Sequence, residues 1–290
     1  MNLLVAAGAV MAMFLWSLCF PLINFGLDAA PPMTYATLRA VVSGASLLLL
    51  ATLLRRPPLA RDLRSLAGVA AIGLSATALG FTGMFNGGGL VSPGIATVIA
   101  NVQPLLAAVL AWLLLGERLG RAQQLGLAAG FGGMVLIGLP DLVGGGGVAG
   151  MAYLLVGAAG VAVGNVLQKR LAGQLDVIRA MGWQFLVGAL PLGLFAFASE
   201  DVTTVRWDWT FIWSLMVLSL LGTAAVFVLW FHLLGRARLT QLNVFTFLTP
   251  MFGLLIGRLF FGERITPIAV GGISLSLVGI YLVSRAPLRR

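Results

Sequence analysis

Asn101-Val102-Gln103-Pro104 opens an apolar run that closes on Gly116-Glu117-Arg118, and Phe247-Leu248-Thr249-Pro250 opens another that closes on Gly262-Glu263-Arg264. The distance from proline to Gly-Glu-Arg is the same in both, and the copies lie 146 residues apart. The same offset pairs Phe81 with Phe227, Phe85 with Phe231, Gly89 with Gly235, Gly126 with Gly272 and Gly133 with Gly279. The register holds without a gap across about four helices, so the chain reads as a duplicated unit.

Composition sets the solvent. Hydrophobic residues make up 60% of the chain and charged residues 9%, whereas a soluble domain carries about 25% charge. Such a chain cannot cover a water-facing surface, and its medium is the lipid bilayer. Met1 to Phe25 has neither a basic n-region nor a small-residue cleavage site, so it reads as a retained first helix rather than a signal peptide. Cys19 is the single cysteine, which excludes a disulfide framework and a cysteine metal cluster.

A spanning helix takes about 20 mostly apolar residues. The pattern predicts an all-α membrane protein of ten transmembrane helices, at 2–25, 32–54, 65–86, 93–115, 122–139, 150–170, 177–197, 208–234, 240–261 and 266–284. Short loops rich in glycine, proline and charge separate them. The Gly144-Gly145-Gly146-Gly147 segment divides a first repeat, 1–140, from a second, 150–290, through a linker at 141–149.

Charge then orients the chain. With the N-terminus in the cytoplasm, the inner loops hold 14 of the 18 basic residues: Arg55, Arg56, Arg61, Arg64, Arg118, Arg121, Lys169, Arg170, Arg179, Arg236, Arg238, Arg285, Arg289 and Arg290. The outer loops hold Arg206 and Arg264. The positive-inside rule puts both termini inside. The net charge of +9 is thus a topology signal, and no basic stripe on a water-facing domain is left for nucleic acid. Five helices per half is an odd number, so the second copy enters the membrane from the opposite side. An inverted repeat of this kind is the mark of transporters whose substrate site lies near the midplane between the repeats.

Two five-helix halves, each ending in a Pro…Gly-Glu-Arg segment and then a glycine-rich helix, resemble the EamA-like branch of the drug/metabolite transporter superfamily. The arginine in Thr37-Leu38-Arg39-Ala40 is similar to that family's first half. The resemblance covers essentially the whole chain, and its most specific parts are Gly116 to Arg118 and Gly262 to Arg264. It implies an inner-membrane exporter of small metabolites, often amino acids.

Candidate site residues come from polar and aromatic positions inside the spans. Thr97, Asn101, Pro104, Ala108 and Ala111 form a polar-then-small stripe, and Asn243, Thr246, Pro250, Gly253 and Gly257 form its counterpart. Small residues also let helices approach closely in lipid. Pro104 and Pro250 each remove a backbone bond, expected near mid-helix, and serve either as a packing kink or as a gating, substrate-facing break. The amides Asn101, Gln103, Asn165, Gln168, Gln184 and Asn243 either tie helices together or line a solvated cavity. An amide both donates and accepts, which suits the two charged ends of a zwitterion. Trp16, Phe81, Met84, Phe85, Trp183, Phe227 and Trp230 supply an apolar wall able to pack an aromatic side chain. Arg39 either grips a carboxylate or snorkels and bonds backbone carbonyls. Its counterpart region in the second half holds Trp183 and Gln184 instead.

The nine carboxylates, Asp28, Asp62, Glu117, Asp141, Asp176, Glu200, Asp201, Asp208 and Glu263, all fall in loops or at helix ends. Proton-coupled pumps carry ionisable groups within the membrane. Their absence predicts an electrically near-neutral site for a zwitterionic or neutral small molecule, aromatic amino acids included, moved by facilitated diffusion. A proton-coupled multidrug exporter, a flippase and an assembly protein are the alternatives. No phosphate loop, zinc spacing or nucleophile elbow is present, so neither an enzyme nor a cofactor is expected.

Overall fold

The computed structural model describes residues 3–59, 62–88, 90, 99–142, 147–260 and 266–285. Among them every regular element is helical. The chain runs α1 (Leu3–Ser17), α2 (Cys19–Leu27), α3 (Pro32–Leu53), α4 (Leu63–Gly88), α5 (Gln103–Leu115), α6 (Arg121–Leu142), α7 (Val148–Leu171), α8 (Val177–Ser199), α9 (Trp209–Leu234), α10 (Leu239–Asn243), α11 (Leu248–Phe260) and α12 (Pro267–Arg285). Six of these, α3, α4, α7, α8, α9 and α12, are long and apolar enough to cross a membrane, and α1 and α5 are shorter apolar helices. The outside is greasy: Leu190 is 68% exposed, Leu194 74% and Phe197 79%. The inside holds Arg39, Asn165, Gln168, Gln184 and Asn243. Apolar groups out and polar groups in is the arrangement lipid demands, and the chain is a multi-pass membrane protein.

Several expectations about the spans are corrected in detail. The first is divided at Leu18 into α1 and α2. The ninth is divided into α10, a 3-10 turn at Val244–Phe247, and α11. Neither proline sits mid-helix. Pro104 occupies the first turn of α5, and Pro250 is the third residue of α11. A first-turn N–H has no intrahelical acceptor, so the N–H that proline lacks is one the helix does not use. Thr97, Gly89, the linker at 143–146 and the Gly262-Glu263-Arg264 copy lie outside the described residues.

Two π turns lie inside long helices, Gly73–Leu79 in α4 and Leu220–Ala225 in α9. Thr77 and Thr223 occupy them, 146 residues apart. Single π turns cluster at functional sites in proteins generally.

Glycines bring the long helices together. α6 packs along α12, where a Cβ on Gly126 would stand 2.8 Å from the Gly279 carbonyl oxygen and one on Gly133 would run into that of Gly272. Between these contacts Ser276 Oγ donates to the Gly130 carbonyl at 3.2 Å, across a separation of 146 residues. α3 and α8 meet similarly at Gly44 and Gly182.

Acidic side chains start the helices. Asp62, Asp176 and Asp208 accept from the backbone N–H of Ser65, Arg179 and Phe211 as N-caps. The Ser65 backbone N–H holds the Asp62 carboxyl below its ordinary value. Two glutamates instead cap helices distant in sequence. Glu117 accepts from Leu239 N at 2.9 Å, Thr240 N at 3.2 Å and Thr240 Oγ1 at 2.9 Å, holding the start of α10. Glu200 accepts from Met33 N, Thr34 N and Thr34 Oγ1, each at 2.8 Å, holding the start of α3.

The two glutamate clamps stand at opposite ends of the bundle. Near Glu117, Lys169 Nζ donates to the Leu234 and Ala237 carbonyls, Arg170 donates to that of Leu114, and Arg56 lies 3.9 Å from Asp176. Near Glu200, Arg206 donates to the Asp28 carbonyl at 2.5 Å.

Gly133→Val is expected to cost about 1–3 kcal/mol through overpacking, read as a lower thermal-unfolding midpoint of the purified protein. Gly253→Ala is the control, since a Cβ there meets nothing within 4 Å. Glu117→Ala strands two buried N–H groups at about 1–3 kcal/mol each, while Glu117→Gln, which keeps an acceptor, is expected to lower the midpoint less.

Candidate functional site

The interior polar groups form two clusters. In the first, Trp230 Nε1 on α9 donates to Asn165 Oδ1 on α7 at 3.0 Å. Asn165 Nδ2 donates to Asn243 Oδ1 at the end of α10 at 3.3 Å, and Gln103 Nε2 at the start of α5 reaches the same oxygen at 3.5 Å. The break after α10 is what delivers Asn243 here: its helix ends and the chain enters the 3-10 turn at this point. Two amide nitrogens converge on one oxygen, which fixes the Asn243 orientation and aims its own Nδ2 away, buried and without a partner. Gln168, one turn beyond Asn165 on α7, is buried with both amide atoms unpartnered. Aromatic rings wall the cluster: Trp16 lies 5.3 Å from Trp230 and 5.7 Å from Phe227, and Phe227 stands edge-to-face on Phe185 at 5.0 Å.

The second cluster is built around Arg39 of α3, which is 2% exposed. Its Nε donates to Thr223 Oγ1 in the α9 π turn at 2.7 Å, and Nη2 reaches Cys19 Sγ at 3.9 Å. The guanidinium carbon lies 4.4 Å from the Phe81 ring centre and 6.0 Å from that of Phe85, within cation–π range of Phe81. Tyr35 packs on Phe85 and donates to the Leu22 carbonyl. Across the bundle, Thr77 of the α4 π turn donates to Gln184 Oε1 at 2.9 Å. The two π-turn threonines thus each bond a buried polar side chain of a neighbouring helix, Thr223 accepting from Arg39 and Thr77 donating to Gln184. Phe185 and Phe227 correspond likewise to Arg39 and Phe81 under the 146-residue offset.

Of the residues singled out in the sequence, Trp16, Gln103, Asn165, Phe227, Trp230 and Asn243 come together, and Arg39, Phe81 and Phe85 form the second group. Met84 is half-buried against the core. Asn101 is buried in the turn before α5. Thr246 is buried but spends its hydroxyl on the Asn243 backbone carbonyl. Trp183 is not brought to either cluster: it is 44% exposed and lines an outward groove with Leu59, Leu66 and Arg179. Its neighbour Gln184 takes the inward face. Sequence reasoning passed over Thr77, Thr223, Tyr35, Phe185 and the Glu200 clamp. The repeat offset that paired the phenylalanines also pairs the threonines, so that signal was present.

The comparisons with known proteins fit this architecture. The EamA-like transporter family model matches twice, over residues 3–139 and 148–285. The chain belongs to the EamA-like transporter family. A WAT1-related chloroplastic protein of Arabidopsis thaliana is 30% identical, the match covering 93% of this chain and 67% of that one. A protein of Escherichia coli named "Probable amino-acid metabolite efflux pump" is 28% identical over 94% of this chain and 92% of its own length. Another, from Streptantibioticus cattleyicolor and named "Probable terminal-alkyne amino-acid exporter", is 29% identical over 97% and 93%. A crystal structure superposes with a TM-score of 0.83 at 21% identity, covering 97% of this chain and 96% of that one; it shares the fold. The residues of this EamA-like transporter are therefore read as those of a carrier for a small molecule.

Asn243→Ala removes the oxygen shared by Asn165 and Gln103. Each stranded donor is expected to cost about 1–3 kcal/mol, and thermal unfolding of the purified variant measures it.

Proposed function

We propose that this EamA-like transporter exports small amphipathic metabolites, amino acids and aromatic amino acids among them, across the inner membrane by alternating access and without proton coupling. The observation that carries the proposal is the Trp230–Asn165–Asn243–Gln103 network. It is a buried, uncharged set of hydrogen-bonding groups with an unpartnered donor, walled by Trp16 and Phe227. Buried amides without partners are costly in lipid and are suited to the polar ends of a substrate, while the indole and phenyl rings suit an aromatic side chain. The names of the E. coli and Streptantibioticus relatives support an amino-acid substrate.

Ten spans in two inverted five-helix repeats, 1–140 and 150–290, account for the contacts. A two-fold axis in the membrane plane carries the Gly126·Gly279 contact onto Gly272·Gly133 and passes between Gly130 and Ser276, which touch directly. The end of the bundle that gathers Arg56, Lys169, Arg170 and Arg179 then faces the cytoplasm, with both termini inside. Substrate sits between the halves and one half rocks against the other. The clamps suit the two gates. Glu117 belongs to the first half and holds α10 of the second; Glu200 belongs to the second and holds α3 of the first. Opening at either end releases one clamp while the other persists. Pro104 and Pro250, at the starts of α5 and α11, lie where the halves hinge.

Proton coupling runs through an ionisable group, Asp, Glu or His, that titrates in the substrate path. Glu117 and Glu200 are occupied by backbone N–H groups at the bundle ends. A proton-coupled multidrug exporter therefore fits less well. The test is counterflow in liposomes of purified protein, with labelled tryptophan, phenylalanine, threonine and an organic cation, with and without a pH gradient. Tryptophan and phenylalanine are expected to exchange without a gradient. Cation movement that requires one refutes the proposal.

A further inference from the structure

Arg39 carries a positive charge inside the bundle, and among the described residues no carboxylate lies within ion-pair distance of it. Among the described residues the one side-chain ion pair lies elsewhere, between Arg56 and Asp176. The guanidinium offers five N–H donors. Nε is taken by Thr223 and Nη2 by the sulfur of Cys19, but Nη1 is buried and has no partner. Burying a cation is costly even after relaxation, and the Phe81 face offsets part of that cost without supplying a counter-charge.

Packing does not require this charge. In the second half the corresponding position is Phe185, which fills the space by standing on Phe227 as Arg39 stands on Phe81. The fold asks for bulk at this site, and in one half the bulk carries a charge with a free donor. Further buried amide donors are left open in the described interior, Asn243 Nδ2, Gln168 Nε2 and Gln184 Nε2 among them, beside the open acceptor Gln168 Oε1.

We infer that Arg39 is the binding point for the carboxylate of the transported molecule, so that the ligand itself completes the ion pair; the inference rests on the transport reading above. The substrate class narrows to carboxylates with an apolar or aromatic body, and uncharged amphiphiles drop out. The geometry gives the ligand a direction. Thr223, Phe227 and Trp230 are on one helix and contact Arg39, Trp16 with Phe185, and Asn165 in turn. Seven residues of helix span roughly 10 Å, so a carboxylate at Arg39 lays the body of the molecule along Phe227 toward Trp16 and the amide network. Thr223 is a positioning residue, since it fixes the guanidinium through Nε and leaves Nη1 without a protein partner.

The full-length protein in nanodiscs tests this by ligand-induced shifts of the thermal-unfolding midpoint. The probes are phenylacetate, its uncharged isostere phenylacetamide, and chloride at matched ionic strength. Phenylacetate is expected to raise the midpoint where phenylacetamide and chloride do not. Arg39→Gln is expected to weaken the phenylacetate response at least tenfold, and Arg39→Lys to weaken it less. Equal responses to phenylacetate and phenylacetamide in the wild type overturn the inference, as does a phenylacetate response that survives Arg39→Gln. The wild-type comparison of the two probes decides the matter even where Arg39→Gln fails to fold. Counterflow separates the two readings. Carboxylate-selective stabilisation without phenylalanine exchange refutes transport and leaves the anion site standing. Equal exchange of phenylalanine and phenylalaninamide refutes the role of Arg39 and leaves transport standing.

Discussion

A helix that begins in or beside hydrocarbon has N–H groups that water cannot reach, and the chain must supply their acceptors. Much of this structure follows from that one constraint. Asp62, Asp176 and Asp208 start their own helices. Glu117 and Glu200 start helices more than a hundred residues away, each taking two backbone N–H groups and a threonine hydroxyl. The carboxylates are drawn to the ends of the bundle by this work. Apart from Glu117 at one of those ends, the buried polar side chains among the described residues are amides, hydroxyls, the Trp230 indole and Arg39.

The same constraint acts on the interior. Amides there must bond to one another, and the Asn165–Asn243–Gln103 convergence does so across three helices with the Trp230 indole as a fourth member. A network of this kind rigidifies only when every member is satisfied. Asn243 Nδ2, both amide atoms of Gln168 and Arg39 Nη1 are not. The Arg39 guanidinium lies over the Phe81 ring, and Asn243 is joined through Asn165 to the Trp230 indole, so polar groups and rings stand together as they do in small-molecule sites. The π turns and the interrupted α10–α11 segment add helix-backbone irregularity to the same elements.

Much of this was legible in the residues. The repeat offset, the apolar spans and the end-placed carboxylates came from composition and spacing, and the described carboxylate caps lie where the loops were expected. Rotational phase was harder to read. A helix that is apolar on all sides gives no moment to mark its inner face, so Trp183 and Gln184, adjacent on α8, were both taken as inward, though the step of about 100° between neighbours turns Trp183 outward. Helix interruptions were also hidden. Leu18 and Val244–Phe247 carry no breaker themselves; each stands just before a proline, Pro21 or Pro250, that is the third residue of the helix that follows and cannot donate to the carbonyl four residues back. Pro104 and Pro250 advertised a kink and delivered a helix start. Glu200 was expected in a loop, and nothing local tells that its partner is the N-terminus of α3.

The pairing of Arg39 with Phe185 has a consequence for the proposed alternation between faces. If the two halves were identical, an inverted pair would open inward and outward by motions related by the two-fold axis, and the two access states would be degenerate in free energy. A cation in one half and a phenyl ring in the other lift that degeneracy. The empty carrier then has a preferred resting face, set by which opening hydrates the guanidinium, and an anion bound there restores the balance. A duplicated gene that keeps its backbone symmetry and diverges at one such position acquires a built-in bias between its states without any change of fold.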